Sequence, residues 1–131
     1  TLFTLTIVDH GNVVKAGNRY ASAVDLARNT SMAKGPKAGA LHVVLENGKW
    51  MYYIGEKVND KTEICKAGRI TVRSGSGAVL SAGFNVTFNG AGMVSSTTHP
   101  VTLEFVNGKK KSAVTIHTLT GKQETNVSYI P

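Results

Sequence analysis

LHVVLENGKWMYYI, residues 41–54, decides the fold. Leu41, Val43 and Leu45 alternate with His42 and Glu46, and Trp50, Tyr52 and Ile54 resume the alternation after Asn47-Gly48. A period of two sends one set of side chains to a buried face, and Asn-Gly is the strongest short-range hairpin signal. The stretch predicts two antiparallel strands, and the same pattern recurs downstream. Ile70 and Val72 alternate with Arg69, Thr71 and Arg73, while Phe84, Val86 and Phe88 alternate with Asn85, Thr87 and Asn89. Val101, Leu103 and Phe105 run through Asn107-Gly108 to Val114, Ile116 and Thr118, and a last short strand is expected over 123–129. The segments 55–68, 74–83 and 89–100 lack alternation and are expected to be irregular.

Upstream of residue 39 the period changes. Val13, Val14, Tyr20, Ala21, Val24, Ala27 and Ser31 recur at spacings of three or four, which predicts a helix over 13–34. Gly35-Pro36 stops it, as a C-cap glycine followed by proline does. Gly17 inside that helix costs about 1 kcal/mol relative to alanine, so the helix start is less sharply marked than its end. Residues 1–12 are read as a segment added by cloning or the remnant of a longer helix, and 13–131 as one domain with its β-part over 39–129. One helix ahead of six to eight short antiparallel strands is an α+β domain. The chain has no run of about 18 apolar residues of the kind that spans a bilayer.

Charge is unevenly spread. Residues 66–122 hold seven basic side chains against one acid, Glu104, although the whole chain carries only +7. A basic half suits a polyanionic partner or an anionic surface. Arg69, Thr71 and Arg73 share one strand face opposite Ile70 and Val72, which predicts two exposed guanidinium groups. Lys109, Lys110 and Lys111 follow one turn and Lys122 another, positions from which lysines reach a phosphate backbone. These six residues are the candidate DNA contacts.

Catalytic and metal chemistry finds little support. His10, His42, His99 and His117 are scattered, with no His-x-Glu or HExxH pattern, and the lone Cys65 allows neither an internal disulfide nor a thiolate cluster. Ser74, Ser76 and Ser81 lie in a glycine-rich stretch without the GxSxG elbow or the GK[ST] ending of a phosphate loop. Acidic residues are too dispersed for a general acid–base pair. No enzyme, cofactor or metal is expected.

Four segments together resemble the GspH/FimT family of minor pilins and pseudopilins. Asp25-Leu26-Ala27-Arg28 resembles the family's L-x-x-A-R signature, and the strand pair around Asn47-Gly48 with Trp50 resembles its first hairpin. Val86-Thr87-Phe88-Asn89-Gly90-Ala91-Gly92 is similar to its i-t-F-n-p-x-G segment. Val114-Thr115-Ile116 with Thr120-Gly121-Lys122 is similar to the closing v-x-i and T-G-R element, with lysine in place of arginine. The resemblance implies a pilin-like α+β fold, one N-terminal helix packed on antiparallel sheets. It also implies a missing apolar half-helix that anchors in the bacterial inner membrane, a soluble head outside the cytoplasm, and other pilin or pseudopilin subunits as partners. On this reading the stripe Val14, Tyr20, Val24 and Ala27 faces neighbouring subunits in a filament. A FimT-like minor pilin of a type IV pilus, some of which bind double-stranded DNA during natural transformation, is the leading expectation. A GspH-like pseudopilin of type II secretion is the alternative. An unrelated β-rich nucleic-acid-binding domain would need aromatics on one exposed strand face, and Tyr52 and Tyr53 point to opposite faces while Phe84 and Phe88 read as core.

Overall fold

A computed structural model of the chain describes residues 2–95 and 99–129, with side chains described from residue 13 onward. The helix α1 (Leu2–Lys34) precedes β1 (Leu41–Glu46), β2 (Lys49–Ile54), β3 (Thr62–Lys66), β4 (Thr71–Ser74), β5 (Phe84–Val86), β6 (Thr102–Asn107), β7 (Lys110–Ile116) and β8 (Gln123–Tyr129). The strands form two antiparallel sheets, ordered β3-β2-β1-β5 and β4-β6-β7-β8. The chain is thus α+β, as expected. The backbone of α1 is helical from Leu2, well before the expected start at residue 13, and the side chains before residue 13, that of His10 included, lie outside the described residues. Among the described residues no helix is long and apolar enough to cross a membrane.

The two Asn-Gly pairs make different turns. Glu46 pairs with Lys49, leaving Asn47 and Gly48 as the turn residues at φ 51° and 74°. Two positive values mark a type I′ turn. Asn107 instead pairs with Lys110, so Gly108 and Lys109 form the second turn, and of these only Gly108, at φ 62°, is positive. That pattern belongs to a type II′ turn. The shift of one residue leaves Lys109 on the turn and draws Lys110 and Lys111 into β7, where they point to opposite faces.

One expected loop is partly a strand. β3 lies inside 55–68 and pairs with β2 through a register shift at Trp50/Met51. Ile64 and Cys65 are adjacent and both buried, so the irregularity hides the alternation that would have marked this strand. The 123–129 strand forms as expected, at the edge of the second sheet.

Helix and sheets share one core. Val13, Ala16, Tyr20, Ala23, Val24, Ala27 and Ser31 are buried along one stripe of α1, against strands of both sheets. Tyr20 joins them: its ring meets Phe84 of β5 edge-on at 6.2 Å and Phe105 of β6 at 6.0 Å. A Cβ at Gly17 would collide with Ser112 of β7. The glycine that weakens the helix locally is what lets it settle on the sheet. This packing corrects the expected subunit-facing stripe. Tyr20, Val24 and Ala27 have no exposed surface and Val14 is half-buried, because the inner faces of two small sheets need the same stripe as a cover. Among the described residues, the large apolar side chains that α1 leaves exposed are Leu26 and Met32.

The Tyr20 hydroxyl is buried and has no hydrogen-bond partner among the described residues, and burial pushes its pKa above the usual phenol value. An unpaired buried hydroxyl costs about 1–3 kcal/mol. Tyr20→Phe is therefore expected to raise stability by about 1 kcal/mol, and Tyr20→Ala to lower it by about 3–5 kcal/mol through the cavity between the sheets. Urea unfolding of the three proteins checks both signs.

Candidate functional site

The six candidate DNA contacts fall into three separate environments. Arg73 and Lys111 converge on Glu104 from flanking strands. Arg73 Nε donates to one carboxylate oxygen at 2.7 Å and Lys111 Nζ to the other at 3.1 Å. The register explains the meeting: Arg73 pairs with Glu104 across β4–β6, and Glu104 pairs with Ala113, two residues from Lys111 on the same face. Arg73 is consequently half-buried and engaged, which corrects the expectation of an exposed guanidinium. Burial of the Glu104 carboxyl pushes its pKa up, but the hydrogen bonds and charges of Arg73 and Lys111 pull harder, and the net shift is downward.

Arg69 and Lys109 occupy a second environment. Thr71 of β4 pairs with Val106, next to the Gly108–Lys109 turn, so Arg69 and Lys109 lie at the same end of the second sheet and both are exposed. Lys110 lies there too, its ammonium 5.5 Å from the centre of the Tyr129 ring. Lys122 is at the other end. β7 runs seven residues from Lys110 to Ile116, about 20 Å of strand, before the turn that carries Lys122. Beside that turn His117 and Glu124 make a 3.2 Å contact.

The end of α1, the 86–92 segment and the Thr120-Gly121-Lys122 turn meet at the Lys122 end. Arg28, in the last turns of α1, donates through Nε to the carbonyl oxygens of Gly92 at 3.2 Å and Thr120 at 2.9 Å. Gly121, at φ 71°, packs so closely on Gly92 and Arg28 that a side chain would strike the Gly92 carbonyl. Asn89 shapes the same loop, its Oδ1 accepting from the backbone N–H of Ala91 at 2.9 Å and of Met93 at 3.0 Å. Gln123 reaches back to Asp25 at 3.3 Å.

A further basic cluster was not anticipated. A cleft of about 320 Å³ opens between α1 and the β3–β4 turn, lined by Lys15, Arg19, Lys66 and Arg69 with Glu63 and the buried Cys65. Lys15 and Arg19 are four apart on the helix, and Lys66 and Arg69 three apart in the turn, so each pair was visible alone. Only the packing of α1 on β3 brings the pairs together. Burial, reinforced by the negative charge of Glu63 and only partly offset by Arg19, pushes the Cys65 thiol up to about 12 and keeps it protonated and unreactive at neutral pH.

The remaining histidines and aromatics have local roles. His42 stacks on Tyr53 at 4.6 Å and bonds Asn85, and His99 is buried against the Pro100 carbonyl. Tyr52 packs on the core, with Phe84 beside it and Phe88 inside it. Among the described residues no group of three or more potential metal ligands converges. Compared with protein-family models, curated proteins and solved structures, the chain matches none.

A carboxylate with a lowered folded pKa stabilises the protein above its unfolded pKa and loses that contribution as pH falls through the folded value. Glu104→Gln is expected to cost about 1–3 kcal/mol near pH 7, and to lose less stability than the parent as pH falls below about 5. Urea unfolding across that range reads the convergence of the two stability curves. Arg28→Met should cost about 1–3 kcal/mol and accelerate amide exchange first in 89–95 and 117–122, seen by hydrogen-exchange mass spectrometry.

Proposed function

We propose that this chain is the head of a filament subunit, a FimT-like minor pilin of a type IV pilus, displayed outside the cytoplasm of a bacterium. The observation that carries this reading is the junction at Arg28. Three segments that resemble the family's separate motifs, and that are distant in sequence, make one contact set there through Arg28, Gly92, Thr120 and Gly121. The fold agrees in outline, with one long N-terminal helix covering antiparallel sheets. Subunit contacts then use the exposed Leu26 and Met32 of α1, in place of the buried Tyr20 stripe. The proposed membrane attachment uses an apolar helix beyond the described residues.

DNA capture is a subsidiary part of the proposal. Its contacts reduce to the unneutralised side chains Arg69, Lys109 and Lys110 at one end and Lys122 at the other, since Glu104 holds Arg73 and Lys111. Backbone contacts of this kind are salt-sensitive and indifferent to sequence.

Two measurements test the reading. Filaments sheared from the native cells should contain the protein by mass spectrometry, and deleting its gene should reduce their number. Absence from the filament fraction with normal filaments after deletion rejects the pilin reading, and a selective loss of protein export would favour the pseudopilin. For DNA, Arg69→Ala/Lys109→Ala/Lys110→Ala should weaken duplex binding at least about tenfold in fluorescence anisotropy and flatten its salt dependence. Arg73→Ala/Lys111→Ala should change it little.

A further inference from the structure

Several cations of this molecule have an acid beside them. Glu104 serves Arg73 and Lys111, Glu46 lies 2.6 Å from Lys61, and Glu56 lies 3.5 Å from Lys37. The cleft between α1 and the β3–β4 turn departs from this pattern. Four cations line it, and among the described residues neither Lys15, Lys66 nor Arg69 has an ion-pair partner. The acid that lines the cleft, Glu63, lies 3.7 Å from Lys49 on the neighbouring strand. Arg19 is fixed at the rim by a 3.2 Å hydrogen bond from Nη1 to the Ile64 carbonyl, which leaves its other N–H groups free to donate.

We propose that this cleft binds a small phosphate-type anion of diphosphate size. The cations form two pairs, Lys15 with Arg19 on the helix wall and Lys66 with Arg69 on the turn wall, and two phosphoryl groups would satisfy one pair each. The volume of about 320 Å³ suits a small ligand, at the lower end of the range for binding sites. Arginine contributes fork-shaped donors that match phosphate oxygens, and the flanking lysines add mobile charge. Glu63 restricts the site to ligands whose charge outweighs its own repulsion, which favours a polyvalent anion over a single carboxylate. The site does not depend on the filament reading, and its failure would leave that reading untouched.

The test is an NMR titration of the isotope-labelled chain with inorganic diphosphate at constant ionic strength. Saturable shifts of amides in 15–19 and 63–70 are expected. Lys15→Gln/Arg69→Gln should weaken the affinity at least about tenfold at an unchanged unfolding midpoint, because both side chains are exposed. Lys109→Gln/Lys122→Gln should bind diphosphate as the parent does. Non-saturating shifts at millimolar diphosphate, or equal affinity in the cleft variant, overturn the proposal. Shifts produced by a short DNA duplex and not by diphosphate also overturn it, assigning the cleft to backbone phosphates instead.

Discussion

The packing of one helical stripe against two separate sheets is the constraint on which this structure rests. Neither sheet covers its own inner face, and α1 lies against strands of both. Tyr20 is the centre of that contact, touching an aromatic ring from each sheet. Small residues at Ala16, Gly17 and Ala23 let the helix axis come close, and the closeness at Ser112 leaves no room for even one methyl group. Close packing of this kind transmits any change in side-chain volume to both sheets.

The same geometry arranges the charges. Strand register gives Arg73 and Lys111 a shared counter-ion, so two of the most basic-looking positions are structural. Helix placement does the reverse at the other side, bringing Lys15 and Arg19 to Lys66 and Arg69, where the one lining acid, Glu63, sits 3.7 Å from Lys49. At the helix C-terminus Arg28 ties two loops through their carbonyl groups. The basic residues therefore fall into separate environments with different chemistry, set by which neighbours each cation meets. A count of basic residues cannot separate them.

The local elements were legible because their signals are local. Alternation in 41–54 and 102–116, the Asn-Gly turns, and the Gly35-Pro36 stop depend on residues within a few positions of one another. The strand Thr62–Lys66 escaped because Ile64 is an extra residue in its pairing with β2, and that bulge breaks the period. Candidate contacts fared unevenly for the same reason. The exposure of Arg69 followed from strand alternation and that of Lys109 from its turn, whereas the burial of Arg73 required knowing that Glu104 lies opposite.

By itself the sequence determined the α+β class, the helix end, most strands and the concentration of positive charge in the second half, all properties of short-range pattern and composition. The tertiary structure decided which side of the helix is buried, which cations are neutralised, and which lie together. Those outcomes depend on pairs far apart in the chain, such as Arg28 with Thr120 and Arg19 with Ile64. Such pairs form only when packing against the shared core sets the distance between elements, and periodicity within one segment holds no record of that distance.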